Sequence, residues 1–270
     1  PLINFTRGVP AVDAFPTDQI IAASQIALSQ NSSVTLQYGS AYGFDPLREW
    51  IADWSGIEMD RVLCSNGSLQ IMEFIFSMLI QPGNNTVFVE APTYDRAITR
   101  LHKHGARIVS IPLQTDGPDI QVLENQLKQH QPCFFYVIPD FHNPSGTTWS
   151  FNKRMRLVEL AQQHGYIYLE DSPYRLLRYR GEEEPSLFDL APDLVLHMSS
   201  FSKLIAPGPR VGYVLGNIDL INGLAKIAED TYITPGILAH SIVYEFCRAG
   251  HLQPQIERLI ALYEPRLTTI

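Results

Sequence analysis

The segment that decides the fold is Ser200-Phe201-Ser202-Lys203-Leu204-Ile205-Ala206-Pro207-Gly208-Pro209-Arg210, which joins apolar runs at 194–197 and 211–215. The two runs are predicted to be strands. A lysine at the end of a buried strand can have a lowered pKa, so its amine can attack a carbonyl carbon. The neighbouring serines and arginine suit a phosphate group. A carbonyl-capturing lysine beside such a clamp indicates a site for pyridoxal 5'-phosphate.

Working outward from this segment, short apolar runs alternate with helical patterns from about residue 60 onward. The runs are residues 62–65, 86–90, 107–112, 133–138, 166–170, 194–198 and 211–215. Helical spacing occurs near 68–80, 95–104, 119–130, 151–164 and 217–230, and also at 17–30 and 251–270. This alternation predicts an α/β fold, a three-layer αβα sandwich with a mostly parallel seven-stranded sheet.

Polar and small residues follow five of the predicted strands. They are Gly67-Ser68, Pro92-Thr93-Tyr94, His142-Asn143-Pro144, Asp171-Ser172-Pro173-Tyr174 and the stretch from Ser200 to Lys203. In open α/β sheets, ligands bind beyond the carboxyl ends of the strands. The sequence therefore predicts that these five strand ends form one site.

Composition narrows the class of protein. The 270 residues are 45% hydrophobic and 18% charged, with a net charge of −8 and no block of Lys or Arg. These values are typical of a globular protein and disfavour binding to nucleic acid or to an anionic membrane. No run is long enough to span a bilayer, and the start of the chain has no secretion-signal pattern. Three scattered cysteines without CxxC spacing argue against a disulfide framework or a zinc site, so we expect no metal and a cytoplasmic location.

Six motifs occur in order along the chain. They are Tyr-Gly…Gly-x-x-Pro-Leu-Arg at 38–48, Asn-Gly-Ser at 66–68, Glu-Ala-Pro-Thr-Tyr at 90–94, Pro-x-Phe-x-Asn-Pro-x-Gly at 139–146, Glu-Asp-x-x-Tyr at 170–174 and Ser-Phe-Ser-Lys…Arg at 200–210. Together they resemble the fold-type-I pyridoxal-phosphate enzymes. The resemblance is greatest to the class I/II aminotransferases, which include 2-aminoadipate aminotransferases and the catalytic halves of MocR-type regulators.

The resemblance implies a role for each residue around the cofactor ring. Lys203 would form the Schiff base and move the proton between Cα and the cofactor, and Asp171 would keep the pyridine nitrogen protonated. Asn143 and Tyr174 would donate to the phenolic oxygen of the ring. Tyr94 would stack on the ring, although a packing role is an alternative. Asp171 as a helix cap and Asn143-Pro144 as an ordinary turn are further alternatives.

The resemblance also implies a phosphate site and a dimer. The backbone amides of Gly67, Ser68 and Leu69, the serines Ser200 and Ser202, and Arg210 would hold the phosphate, with Ser68 at the start of a helix. Ser68 could also act as a simple helix cap. Tyr38 would reach the phosphate of the neighbouring subunit, which implies a homodimer.

For the substrate, the resemblance points to Gly8 and Asn143. His142 stands where the family usually has Gln, so we assign it no catalytic role. The arginine that clamps the substrate carboxylate is expected beyond Ile270, because Arg258 and Arg266 lie in the predicted connecting helix.

The predicted domains are an N-terminal segment at 1–35, a large cofactor domain at 36–250 and the start of a connecting helix at 251–270. If a missing domain normally covers that helix, its apolar stripe should be left uncovered. The stripe is Leu252, Ile256, Leu259, Ile260 and Tyr263.

The resemblance implies an aminotransferase that acts on an α-amino acid and a 2-oxo acid. Two alternatives stay open: a lyase, decarboxylase or racemase on the same fold, and a non-catalytic regulatory module of MocR type. Nucleotide-binding and nucleophile-elbow motifs (GxGxxG, GxxxxGK[ST] and GxSxG) do not occur, which disfavours a dehydrogenase, a P-loop enzyme or a hydrolase of that class.

Overall fold

The computed structural model describes residues 8–269. The helices are α1 (Thr17–Gln30), α2 (Ser32–Thr35), α3 (Asp45–Ser55), α4 (Ser68–Leu79), α5 (Asp95–Lys103), α6 (Ile120–Leu127), α7 (Phe151–His164), α8 (Leu187–Leu190), α9 (Ile218–Tyr232), α10 (Ile237–Arg248) and α11 (Leu252–Thr269). The strands are β1 (Val62–Ser65), β2 (Thr86–Ala91), β3 (Arg107–Gln114), β4 (Gly117–Pro118), β5 (Phe134–Val137), β6 (Ile167–Asp171), β7 (Val195–Ser200) and β8 (Gly212–Leu215).

The strands form a single sheet in the order β1-β8-β7-β6-β5-β2-β3-β4. Neighbours from β7 through β6, β5 and β2 to β3 are parallel, whereas β8 runs antiparallel to both β7 and β1. The predicted α/β sandwich with a mostly parallel sheet is confirmed. A two-residue eighth strand, β4, pairs with the end of β3 and was not predicted.

The side chains of the central strands alternate between two cores. On β5, Phe134 and Tyr136 belong to one buried cluster, and Phe135 and Val137 belong to the other. Helices α4, α5 and α9 contribute buried side chains to the first cluster, and α3, α6, α7 and α10 contribute to the second. Because both faces are covered, the central strands β5, β6 and β7 are almost entirely buried and are rich in apolar residues, as parallel strands usually are.

Helix ends differ in how they are capped. Helix α7 begins after Ser150, whose hydroxyl accepts from the backbone N–H of Lys153, and it ends at Gly165 with a φ of 66°. This pairing of an N-cap serine and a left-handed glycine is a strong boundary signal. Helix α4 begins after Gly67 and has no side-chain cap. The first turn of α4 therefore has N–H groups available for a ligand.

Two parts of the helical layer were not expected. Helices α3 and α10 pack on each other and on the rest of the fold, but no helix was predicted at either position. The expectation that the apolar stripe of α11 is uncovered is wrong, because Leu252, Ile256 and Leu259 are only 2–4% exposed and share a core cluster with Ala14 and Phe246. The predicted domain boundaries stay predictions.

The three cysteines are all free thiols. Cys64 and Cys247 are buried, and Cys133 is partly buried. Within residues 8–269, no helix is both long enough and apolar enough to cross a bilayer.

Candidate active site

A cavity of about 700 Å³ lies at the carboxyl edge of the sheet. Its walls come from the residues that follow β2, β5, β6 and β7, from the first turn of α4 and from the N-terminal segment. They are Gly8, Val9, Ser68, Leu69, Thr93, Tyr94, Asp95, Arg96, Ile138, Asn143, Pro144, Asp171, Pro173, Tyr174, Ser200, Ser202, Lys203, Pro207 and Arg210. The sequence reasoning that brought five strand ends together is therefore matched by the geometry.

Lys203 supplies an amine to this cavity. Its Nζ donates to the backbone carbonyl of Gly8 at 2.6 Å and lies 5.8 Å from the centre of the Tyr174 ring. Burial lowers the pKa of Lys203, and the positive charge of Arg210 lowers it further. The amine is consequently freer of its proton than a solvated lysine would be, which favours attack on a carbonyl carbon.

Asp171 supplies a buried carboxylate to the cavity wall. It is the last residue of β6 and is 6% exposed. The hydroxyl of Tyr136, on the neighbouring strand β5, donates to Asp171 Oδ2 at 2.7 Å. Burial raises the pKa of Asp171 to about 6, while the Tyr136 hydrogen bond and the nearby His197 oppose the rise. In this buried position, a cationic N–H donor would stabilise the ionised form of the Asp171 carboxylate.

The start of α4 and Arg210 together form a cradle of hydrogen-bond donors. Gly67 has a φ of 92°, which favours glycine, and a Cβ placed there would lie 2.5 Å from Nη2 of Arg210. A Cβ on Gly212 would similarly lie 2.5 Å from the backbone nitrogen of Ser68. The absence of a side chain at Gly67 leaves room for the Arg210 guanidinium beside the uncapped helix start, and the absence of one at Gly212 lets strand β8 pack against the backbone of that helix start.

Two serines complete the cradle. Ser200 Oγ donates to Ser202 Oγ at 2.9 Å, and Arg210 Nη1 donates to Ser202 Oγ at 3.3 Å. Arg210 has a φ of 56° and also donates to the carbonyl of Pro207 at 3.3 Å. Within residues 8–269, no carboxylate pairs with Arg210, so its charge is available to an anion.

Aromatic and polar side chains flank the space between the cradle and Asp171. Tyr94 is half-buried at the start of α5, and burial raises its pKa. Burial together with the charge of Asp171 raises the pKa of Tyr174 to about 12, so its hydroxyl remains a donor at neutral pH. Thr93 Oγ1 is buried at the cavity wall and has no hydrogen-bond partner within the described residues.

All of the predicted site residues except Gly67 and Tyr38 line the cavity. Gly67 is adjacent to the guanidinium of Arg210, which lines the cavity. Tyr38 is 72% exposed and does not line the cavity. Arg258 and Arg266 are also outside it: Arg258 Nη1 donates to the carbonyl of Ala14 at 3.1 Å, and Arg266 Nη2 lies 3.1 Å from Asp13 Oδ2. The functional roles assigned from the resemblance stay predictions.

Sequence reasoning missed the hydrogen bond from Tyr136 to Asp171. The available signal was a tyrosine within the otherwise apolar run Phe134–Val137, because a buried Tyr hydroxyl needs a hydrogen-bond partner. The pairing of β5 with β6 supplies that partner, and it depends on a strand order that the sequence pattern leaves open. Arg96, at the cavity wall, was also missed.

Comparison with known proteins identifies the family. The family described as aminotransferase class I and II matches residues 1–260. The chain belongs to this family. Aminotransferases of this class use pyridoxal phosphate, so the predictions of the family, the enzyme class and the cofactor are confirmed. The match favours amino-group transfer over the lyase, decarboxylase, racemase and regulatory alternatives.

Two relatives and one solved structure illustrate the similarity. The 2-aminoadipate transaminase of Thermus thermophilus is 31% identical over 269 residues, which cover 98% of this chain and 67% of the relative. Aromatic-amino-acid aminotransferase 1 of Thermococcus litoralis is 31% identical over 277 residues, with coverages of 98% and 66%. The α-aminoadipate aminotransferase of T. thermophilus complexed with N-(5'-phosphopyridoxyl)-L-leucine superposes with a TM-score of 0.91 at 31% identity, covering 96% and 67%. The chain thus spans about two thirds of the length of each.

The residues of this chain fit the family's cofactor. The Gly67–Arg210 cradle would hold a phosphate, and the Asp171 carboxylate would pair with a protonated ring nitrogen. A phosphate-bearing, nitrogen-containing ring therefore matches both ends of the cavity.

Proposed function

We propose that the protein transfers amino groups between an α-amino acid and a 2-oxo acid, with Lys203 holding pyridoxal 5'-phosphate covalently through its Nζ. The observation that carries this proposal is that one cavity contains a lysine of lowered pKa, a buried carboxylate and an uncapped helix start with an arginine. When bound, the cofactor acts as an electron sink that acidifies the Cα–H bond of an attached amino acid.

The protein's own groups would divide the work. The start of α4, Ser202 and Arg210 would bind the phosphate and fix the ring at that end. Asp171 would hold a proton on the ring nitrogen, and Tyr136 would keep the Asp171 carboxylate oriented. Tyr94 would limit motion of the ring and exclude water from one of its faces.

Lys203 is the group that would move the proton at the substrate Cα. It is the one amine that lines the cavity within residues 8–269. Asn143 and Tyr174 would donate hydrogen bonds to the oxygen of the ring, and Tyr174 stays protonated at neutral pH because its pKa is raised. We propose Gly8 as a substrate contact, since its carbonyl hydrogen bonds to Lys203 and it closes one side of the cavity.

The substrate class follows in outline. The relatives are named for 2-aminoadipate and for aromatic amino acids, so these are the first amino donors to assay, with a panel of 2-oxo acids as acceptors. Three free thiols support the cytoplasm as the proposed compartment, because disulfides are rare there.

The identity of the cofactor-binding lysine has a direct test. The full-length protein, loaded with pyridoxal phosphate, is reduced with borohydride and digested. We expect the pyridoxyl label on Lys203, because it is the lysine in the cavity. The Lys203→Ala variant should lose the label, and Lys226→Ala serves as the matched control on helix α9. A label on Lys226 or Lys153 would contradict the assignment.

We further propose a homodimer in which Tyr38 contributes to the site of the partner. Tyr38 is exposed. Other exposed apolar side chains lie on α2 (Val34), after α2 (Leu36), on α1 (Ile21, Leu28) and at the start of α10 (Leu238), far from Tyr38 in sequence. Helices α1 and α2 both pack against α10. An apolar surface of this kind is typical of a subunit interface.

The dimer proposal is tested by light scattering and by cofactor affinity. The full-length protein should have the mass of a dimer, and Tyr38→Phe should weaken cofactor binding by about tenfold, the worth of one hydrogen bond to a charged group. Tyr42→Phe is the matched control, since the Tyr42 hydroxyl donates to Asn222 within the same chain. A monomer that binds the cofactor with full affinity would contradict the proposal.

A further inference from the structure

A buried histidine directly precedes Asn143 in the connection that follows β5. The side chain of His142 is completely buried, and its backbone N–H donates to the carbonyl of Thr147 at 2.9 Å. The side chain of Asn143 has no hydrogen-bond partner within residues 8–269. The direction in which Asn143 points into the cavity therefore depends on how the backbone on either side is held.

The two ring nitrogens of His142 contact different elements. Nδ1 lies 3.3 Å from the backbone nitrogen of Ser145 and 3.0 Å from Ser145 Oγ. Nε2 is buried and lies 3.3 Å from Glu90 Oε2, in contact with the carboxylate although the angle is outside hydrogen-bond geometry, and it has no other partner within the described residues. Because a backbone N–H can only donate, Nδ1 is the acceptor, and the neutral ring carries its proton on Nε2, where it faces the carboxylate.

Glu90 is a fixed acceptor beneath this connection. It is 1% exposed near the end of β2. It accepts from the backbone N–H of Ile138 at 2.7 Å and from Trp149 Nε1–H at 3.0 Å. Burial raises the pKa of Glu90, and the donors Ile138, Trp149 and His142 oppose the rise. Since these groups present N–H donors, the carboxylate is best satisfied in its ionised form.

We propose that His142 is a positioning residue, which joins Glu90 of β2 to Ser145 and thereby fixes Asn143 in the direction needed to reach the cofactor. His142 and Ser145 bracket Asn143 in the chain, so a single imidazole anchors both ends of the turn to the sheet. The inference rests on the proposed function, because Asn143 has its role only if it donates to the ring oxygen.

The contacts of His142 with Glu90 and Ser145, called here the His142 bridge, determine which substitutions test the proposal. Glutamine has an amide N–H that can donate to Glu90 and an amide oxygen that can accept from Ser145. Leucine has a similar volume but neither group. Asparagine is shorter by one methylene and can satisfy only one of the two partners. His142→Gln should therefore preserve the bridge, whereas His142→Leu and His142→Asn should break it.

The experiment uses the full-length protein loaded with pyridoxal phosphate. The absorbance of the bound cofactor is titrated with pH, since a donor to the ionised ring oxygen keeps the midpoint of that titration low. We expect His142→Leu to raise the midpoint by about one pH unit, the size of one hydrogen bond to a charged group. Asn143→Ala should raise it similarly, and the double variant should shift it no further. His142→Gln should keep the wild-type midpoint.

Unfolding of the cofactor-free variants is measured in parallel to separate positioning from stability. If His142→Leu is insoluble, His142→Asn makes the same test. A wild-type midpoint in these variants, whatever their stability, would overturn the proposal. Additive shifts from His142→Leu and Asn143→Ala, or a His142→Gln variant that behaves like His142→Leu, would also overturn it. Wild-type protein without any cofactor absorbance would instead overturn the proposed function itself.

Discussion

The two ends of the cavity differ in the number and charge of the groups that they offer to a ligand. At one end, Asp171 is a single carboxylate, nearly inaccessible to water and held by one hydrogen bond from Tyr136. At the other end, several donors share an anion site: the start of α4, Ser202 and Arg210. The Asp171 end therefore depends on one charge that is shielded from water. The end formed by α4, Ser202 and Arg210 distributes ligand binding over several donors.

This difference has a consequence for mutation. A ligand held by several donors loses only part of its affinity when one is removed, because the others remain. A buried carboxylate has no substitute, so its loss should alter the chemistry rather than the affinity. Rate and affinity measurements at the two ends should therefore give opposite results.

The largest expected effect is on the rate in Asp171→Asn. The cofactor should remain bound through the anion cradle, but removal of the Cα proton should slow by about 1000-fold, or about 4 kcal/mol, because the ring nitrogen is no longer kept protonated. Single-turnover absorbance measurements with an amino acid test this. Ser202→Ala, at the opposite end, is the control and should stay within about threefold of the wild-type rate. A near-normal rate in Asp171→Asn would mean that Asp171 is only structural.

The next effect is on affinity in Arg210→Ala. Loss of a charged donor to the phosphate should weaken cofactor binding by about 30-fold, or about 2 kcal/mol, while the single-turnover rate at saturating cofactor changes little. Equilibrium titration followed by absorbance gives the dissociation constant. Arg107→Ala, at the exposed start of β3, removes the same charge away from the cavity. If both variants lose affinity equally, net charge rather than contact explains the result.

The last effect concerns the stability of the cofactor-free protein and its dependence on pH. Asp171 has a pKa of about 6 in the folded state, against an ordinary value of 3.8. The folded state therefore binds its proton more tightly than the unfolded state, and ionisation of Asp171 lowers the free energy of unfolding as the pH rises from about 4 to about 6.

Asp171→Asn should consequently stabilise the cofactor-free protein by about 2–3 kcal/mol above pH 6. The gain should shrink as the pH falls from about 6 towards 4, and it should disappear below about pH 3, where wild-type Asp171 is protonated in both states. Urea unfolding across this pH range measures it. Asp95→Asn removes an exposed carboxylate at the same cavity and controls for net charge. Equal stability of wild type and Asp171→Asn at pH 8 would contradict the raised pKa.

Much of the fold followed from patterns within single segments. The apolar runs gave seven of the strands, and the polar residues after β2, β5, β6 and β7 identified the edge of the sheet that carries the cavity. These predictions succeeded because both signals are local: a strand is read from its own residues, and a ligand site in a parallel sheet lies at the strand ends.

The features that escaped prediction depend on neighbours distant in sequence. Tyr136 meets Asp171 only because β5 pairs with β6, and α10 is recognised as a helix only in its packing against α1 and α3. The apolar stripe of α11 was expected to be uncovered because no local signal indicates that Leu259 shares a core with Ala14. Strand β4 has only two residues, too few for any periodicity.

Strand β8 returns antiparallel beside β7, so the short connection between these two strands carries both Lys203 and Arg210. Residues that follow β7 stay at the cavity edge until β8 begins, without crossing to the far side of the sheet through a helix. Lys203 and Arg210 therefore belong to one short covalent connection, whose ends are fastened to adjacent strands. A displacement of this connection would carry the amine and the guanidinium together, so the spacing between them is protected from small shifts of the surrounding helices.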